Sequence, residues 1–181
     1  MKKTTIITIL LLVSVPFLFS QNTVKTNIKE TDYSKSKMFS LTKMFVADKW
    51  NNPKLATVNS DEELGVIQIN TQKEIDVKVG MGLTCVYTYN YKVKFQFKEN
   101  KYKIDIYDIE CVSAEQVGLG SFNTVPLIQY FEGDNPPEKT KKMGRGVSKK
   151  QAVKIMELLR SDFESLFDDY NSYINSYKED F

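Results

Sequence analysis

Between Cys85 and Phe97 every second residue is apolar or aromatic: Cys85, Tyr87, Tyr89, Tyr91, Val93, Phe95 and Phe97. The residues between them include Thr88, Asn90, Lys92, Lys94 and Gln96, with Lys98 next in the series. A period of two puts one set on each face of a strand, so this stretch is a long strand with one buried face. Glu99-Asn100 reads as a two-residue turn, because Asn tolerates the positive φ of a tight hairpin, and Tyr102, Ile104 and Ile106 resume the alternation. Pairing Lys98 with Lys101 sets Phe97 opposite Tyr102, Phe95 opposite Ile104 and Val93 opposite Ile106, which gathers both apolar sets on one face. The remaining chain has to supply something to cover that face.

Two amphipathic segments do so. From Ser34 to Trp50, Met38, Leu41, Phe45 and Val46 recur at helical spacing; Ser36 is placed to cap the start, and Asn51-Asn52-Pro53 ends the run. From Ser148 onward Ala152, Met156, Leu159, Phe163, Phe167, Tyr170, Ile174 and Tyr177 form the stripe of one long helix, 148–177, capped by Ser148. At 1.5 Å per residue it reaches roughly 45 Å, more than the sheet beneath is expected to need, so its far end is expected to project, bend or meet a partner. Between the first helix and the central hairpin, Leu55 to Asn59 reads as a strand and Ser60 to Gly65 as a hairpin loop. Val66 to Val77 follows as a second strand, with Ile67, Ile69, Ile75 and Val77 on one face, and Gly80 and Gly82 open the next turn. An edge strand is expected near Thr26 to Glu30. Residues 113–147 read as a long loop holding five of the eight glycines, with a short helix over Pro126 to Phe131 closed by Gly133. The fold class is α+β: a single antiparallel sheet of four to five strands with two helices packed on one face.

Lys2 and Lys3 precede an apolar run from Ile6 to Phe19 that is short for a membrane span and ends at Ser20. Residues 1–20 are therefore expected to be an export signal and 21–181 a single domain of the periplasm or cell envelope, with no transmembrane segment once the signal is cleaved; the alternative is an uncleaved anchor. No Cys follows the run, so lipid attachment there has no acceptor. Without Lys2 and Lys3 the 25 basic residues become 23 and balance the 23 acidic ones, so the charge gives no reason to expect nucleic acid as a partner. Cys85 and Cys111 are the only cysteines. The hairpin register sets Cys111 opposite Thr88 on the outer face and Cys85 inward, three residues further along, or roughly 10 Å by strand rise. Two free, partly buried cysteines are expected; a bulge that brought both to one face would lengthen the offset.

A weak first strand, a helix, four antiparallel strands and a C-terminal helix behind an export signal resemble domain-of-unknown-function family 4468, exported Bacteroidetes proteins with a TBP-like fold. The residues that carry the resemblance are Tyr33-Ser34-Lys35-Ser36-Lys37-Met38-Phe39-Ser40-Leu41, the aromatic Phe45, and the acidic turn Asp61-Glu62-Glu63-Leu64-Gly65 leading into Val66-Ile67. It spans Thr26 to about Tyr173 and departs from the family in the long insertion between Val112 and Ser148. The resemblance implies the fold and the compartment, brings no catalytic residues with it, and leaves the activity open.

The chain has no histidine, which removes the usual general base and the commonest metal ligand; no cofactor or metal is expected. Ser34-Lys35-Ser36-Lys37 has the Ser-x-x-Lys spacing of acyl enzymes without their companion motifs and reads as a helix cap. Asp108 and Glu110 fall on one face opposite Tyr91 and Tyr89. Buried together, they would make a small carboxylate-dependent hydrolase. The simpler expectation is a bulge near Tyr107 that turns Ile109 and Cys111 inward and leaves both acids in water. Asp61-Glu62-Glu63 and Asp168-Asp169 lack calcium-loop spacing. The candidate binding residues are Lys139, Lys141, Lys142, Arg145, Lys149 and Lys150, in a segment to Lys154 that no acid interrupts, with Gly144 and Gly146 between. Such a segment suits an anionic glycan, a lipid head group or an acidic protein surface, and it makes a non-catalytic binding or scaffolding module the leading expectation. Lys92, Lys94, Lys98, Lys101 and Lys103 form a second basic patch on the outer face of the hairpin, where lysines guard against edge-to-edge pairing.

Overall fold

A computed structural model of the chain describes residues 23–51, 56–78, 83–116, 120–121 and 149–177. The expected export signal, the turn at Gly80 and Gly82, and the helix over Pro126 to Phe131 lie outside them. One antiparallel sheet is built from β1 (Thr23–Glu30), β2 (Ala56–Asp61), β3 (Val66–Lys78), β4 (Thr84–Lys98) and β5 (Lys101–Gln116) in the order β1-β5-β4-β3-β2. The two-residue strand β6 (Gly120–Ser121) pairs with the end of β5. Helices α1 (Lys35–Lys49) and α2 (Lys149–Ser176) both pack on the face that carries Ile67, Ile69, Val93, Phe95, Phe97, Ile104 and Ile106, all buried.

Near its turn the central hairpin keeps the pairing that alternation dictates: Phe97 faces Tyr102, Phe95 faces Ile104 and Val93 faces Ile106. Asn100 adopts φ 57°, the left-handed conformation the turn needs. Past Tyr107 the register shifts twice, so Asn90 faces Glu110, Tyr89 faces Cys111 and Thr88 faces Ser113. The first extra residue is Asp108, at φ 51°; the second is Val112, which is exposed. The first bulge turns Ile109 and Cys111 into the core, which corrects the placement of Cys111 on the outer face. Its offset from Cys85 becomes four residues along β4, about 13 Å, and both thiols are free and buried. β5 also runs on to Gln116, where polar Ser113 and Glu115 had suggested a loop from 113.

The start of α1 ties the sheet's turns together. Its N-cap is Ser34, whose Oγ accepts from the Lys37 amide at 3.3 Å, and not Ser36. The Glu99 carboxylate, from the β4–β5 turn, lies 3.4 Å from the Lys35 amide, an anion at the positive end of the helix dipole. The Lys35 ammonium donates to the Glu63 carbonyl at 2.6 Å. Its stem crosses Gly65, which sits at φ 66° and has no room for a Cβ beside that side chain.

Helix α2 does not project. It buries Ala152, Ile155, Met156, Leu159, Phe163, Leu166, Phe167, Tyr170 and Ile174 along its length, and Tyr177 packs against the same core. The sheet is longer than expected: β4 and β5 have 15 and 16 residues, about 50 Å each, against about 42 Å for the helix. Phe163 meets Tyr91, and Tyr170 meets Phe95 and Tyr102 edge-on or tilted at 5.0 to 5.3 Å. Tyr170 also shares a 2.6 Å hydrogen bond with buried Thr42 of α1, whose hydroxyl reaches the Met38 carbonyl at 2.7 Å, so this buried polar link between the helices is satisfied; nearer the surface Lys49 of α1 pairs with Asp169 of α2 at 2.7 Å.

Candidate functional site

Of the six candidate binding residues, Lys139, Lys141, Lys142 and Arg145 lie outside the described residues, while Lys149 and Lys150 are the first two residues of α2. The run of contacts from Tyr91 to Tyr102 fixes the direction of α2, which points its C-terminal end toward the β4–β5 turn. Lys149 and Lys150 therefore stand at the opposite end of the sheet from Lys98 and Lys101. The first turn of α2 holds no acidic residue and its last turn no basic one, the reverse of the arrangement its dipole favours. One turn in, Lys154 pairs with Glu157 at 3.8 Å, both exposed.

The two acids that would make a hydrolase do not converge. Asp108, lifted by the bulge, pairs with the Lys92 ammonium at 2.8 Å, and Glu110 is exposed. Lys92 also lies over the Tyr107 ring, 5.8 Å from its centroid. Its pKa is raised chiefly by the hydrogen bond to Asp108. Tyr107 itself is buried on the face away from the helices, and burial raises its phenol pKa. Ser34 is occupied as the helix cap, so Ser34 and Lys37 carry no acyl chemistry.

The second basic patch is partly neutralised. Lys103 pairs at 2.8 Å with Asp105, which is buried and also accepts from the Thr26 hydroxyl at 2.7 Å. Lys94, Lys98 and Lys101 make no ion pair among the described residues. In register, the outer face passes from these lysines through Gln68, Asn70, Gln72 and Asn90 to Glu74, Asp76, Glu110 and Glu115, a gradient from basic to acidic along the strands.

Two concavities among the described residues bear on a site. A groove of about 1120 Å³ lies at the turn end of the sheet, where Glu30, Asp32 and Glu99 alternate with Lys37 and Lys101. A smaller cleft, about 420 Å³, lies where the C-terminal end of α1, the middle of β3 and β4, and α2 meet; its walls include Trp50, Thr71, Gln72, Lys73, Tyr91 and Asp162. Lys73 and Asp162 pair across it at 2.9 Å. Sequence reasoning did not single out this cleft, because its residues come from four elements; the lone tryptophan at a helix end was the available signal. Among the described residues no group of three or more His, Cys, Asp or Glu could hold a metal, and no helix is long and apolar enough to cross a membrane.

The family model described as a domain of unknown function (DUF4468) with TBP-like fold matches residues 25–111, from β1 to the bulges of β5. Residues 25–111 are similar to the DUF4468 family. Two crystal structures share the fold. One is a TBP-like protein from Parabacteroides distasonis, 17% identical, covering 83% of this chain and 94% of that one with a TM-score of 0.57. The other is a DUF4468 family protein from Bacteroides ovatus, 12% identical, covering 81% of this chain and 84% of that one with a TM-score of 0.55. No curated protein matches the chain. The family model stops before α2, yet α2 supplies Phe163 and Tyr170 to the same core that the DUF4468 strands build.

Proposed function

We propose that the protein is a non-catalytic binding or scaffolding module of the cell envelope, which meets an anionic partner through the basic segment Lys139, Lys141, Lys142, Arg145, Lys149 and Lys150. The observation that carries this reading is the pairing of Asp108 with Lys92 at the bulge, with Glu110 left exposed: the acids that would have done chemistry are neutralised or solvated. Surface recognition is then the use best supported by the remaining charge. The inverted start of α2 agrees with it, since two lysines at the positive end of a helix dipole cost stability by about a few tenths of a kcal/mol each and gain from an anion placed beside them. Export rests on Lys2, Lys3 and the apolar run from Ile6 to Phe19.

The test is retention of partners from an envelope extract on the immobilised mature chain and on a Lys141→Glu, Lys142→Glu, Arg145→Glu variant. A partner held by the first and released by the second supports the reading. Equal retention by both moves recognition elsewhere on the surface, and recovery of nothing by either removes the proposal's support.

A further inference from the structure

The cleft between α1, β3, β4 and α2 gathers aromatic and polar side chains, of which Lys73 and Asp162 pair with each other. Trp50 caps α1 through its own amide, which donates to the Val46 carbonyl at 2.9 Å, and its ring is held edge-on against Phe45 at 6.2 Å. Tyr91 is fixed in the same way against Phe163 at 5.3 Å. Both rings are thus oriented by the core, while Trp50 and Tyr91 stay only partly buried. Burial, and then the Asp162 charge, push the Tyr91 phenol up to about 12, so it stays a protonated donor at any physiological pH. Thr71 is 6% exposed, and neither its hydroxyl nor that of Tyr91 has a hydrogen-bond partner among the described residues. Neither hydroxyl is sealed from solvent, so both are open to a partner that enters the cleft.

The chemistry of the walls narrows what that something is. A lipid chain would leave every one of these polar groups unpaired. An anion would face Asp162 and a cation would face Lys73, and the two already neutralise each other at 2.9 Å. What fits is a neutral molecule with donors and acceptors around its whole rim and an apolar patch to lie against an aromatic ring. The volume of about 420 Å³ falls toward the small end of ligand sites, which run roughly 300–1,000 Å³. We infer that this cleft binds a neutral saccharide, a mono- or disaccharide unit, with Trp50 and Tyr91 as its aromatic walls and Thr71, Lys73 and Asp162 as its hydrogen-bonding rim. The reading of this cleft stands or falls apart from that of the basic segment.

Trp50 is the chain's only tryptophan, so its fluorescence reports the cleft directly. The experiment titrates the full chain with glucose, galactose, N-acetylglucosamine and their disaccharides, with glycerol and glucuronate as controls. The expected result is a saturable change in Trp50 emission with at least one neutral sugar. It should weaken by about tenfold in Lys73→Ala and in Asp162→Asn, the loss of one hydrogen bond to a ligand. Both positions are partly exposed and outside the core, and their unchanged melting temperatures would show that the fold is intact. No saturable change with any neutral sugar, a response to glucuronate alone, or a response that both variants retain would each overturn the inference.

Discussion

On β4, Cys85, Tyr87, Tyr89, Val93, Phe95 and Phe97 point under the helices and are buried, while Asn90, Lys92, Lys94, Gln96 and Lys98, one step along in each case, stand on the other side of the same backbone. The first set meets α1 and α2 through a run of ring contacts, among them Phe39 on Phe97 and Tyr170 on Phe95. The second meets its neighbours across the sheet, as Lys92 meets Asp108 of β5. The lesson is a division of labour: stability is concentrated on the helix side, and the other side is left free to vary in charge and to meet other molecules.

Three measurements of stability and pH dependence would break or sharpen that contrast. The largest effect belongs to Phe95→Ala, which empties a site with no exposure beneath Tyr170 and should cost about 3–5 kcal/mol in denaturant unfolding. A cost below that of an ordinary surface substitution would mean that the helices do not press on the sheet as described. Next comes the response to alkali. Burial raises the pKa of Tyr87, Tyr89, Tyr91, Tyr102 and Tyr170, that of Tyr102 to about 12, from an ordinary value of 10.0. The unfolded chain loses these protons first as pH rises, so the folded state binds more protons above pH 10 and its stability falls with pH there. For Tyr102 alone the loss between pH 10 and 12 amounts to roughly 2–3 kcal/mol. With no histidine to titrate, the melting temperature should stay level from about pH 6 to 9 and then drop steeply, followed by circular dichroism with phenolate absorbance near the same pH. Phenolates that appear well before unfolding would show the rings to be open to water. The smallest effect is Gln96→Ala, the next residue along from Phe95 on the open face, expected within about 0.5 kcal/mol of the parent. A larger loss would show that the open face carries structure of its own.

How far the sequence could be read follows the same line. The inner face was legible wherever a two-residue period ran unbroken, so the register from Lys98 back to Val93 and the buried set Ile67, Ile69, Ile75 and Val77 match the expectation from pattern alone. The bulge expected near Tyr107 lies at Asp108, at φ 51°, and turns Ile109 and Cys111 inward as expected. The expected bulge near Tyr107 did leave Glu110 in water, yet the second one, at Val112, had no signal at all. Ser34 and Ser36 were equally good caps locally; Glu99, from a turn 64 residues away, helps settle which is used. The length of α2 was readable, but its fit to the sheet was not, since that depended on β5 continuing through the polar residues to Gln116. The cleft was invisible for a plainer reason. Trp50, Thr71, Tyr91 and Asp162 share no spacing, and only the packing of α2 across β3 and β4 brings them together.

The strand order has a consequence in time. Five residues or fewer separate each of β2, β3 and β4 from the strand that follows it, so their pairing closes short loops, whereas Glu30 of β1 waits for Lys101 and Thr23 for Tyr107. The first strand of the domain is therefore set to be the last to join the sheet, and until it does, the row from Lys101 to Tyr107 is a bare edge in a half-folded chain. Lys101 and Lys103 stand on that edge, where their charge discourages another half-folded copy from taking the place reserved for β1.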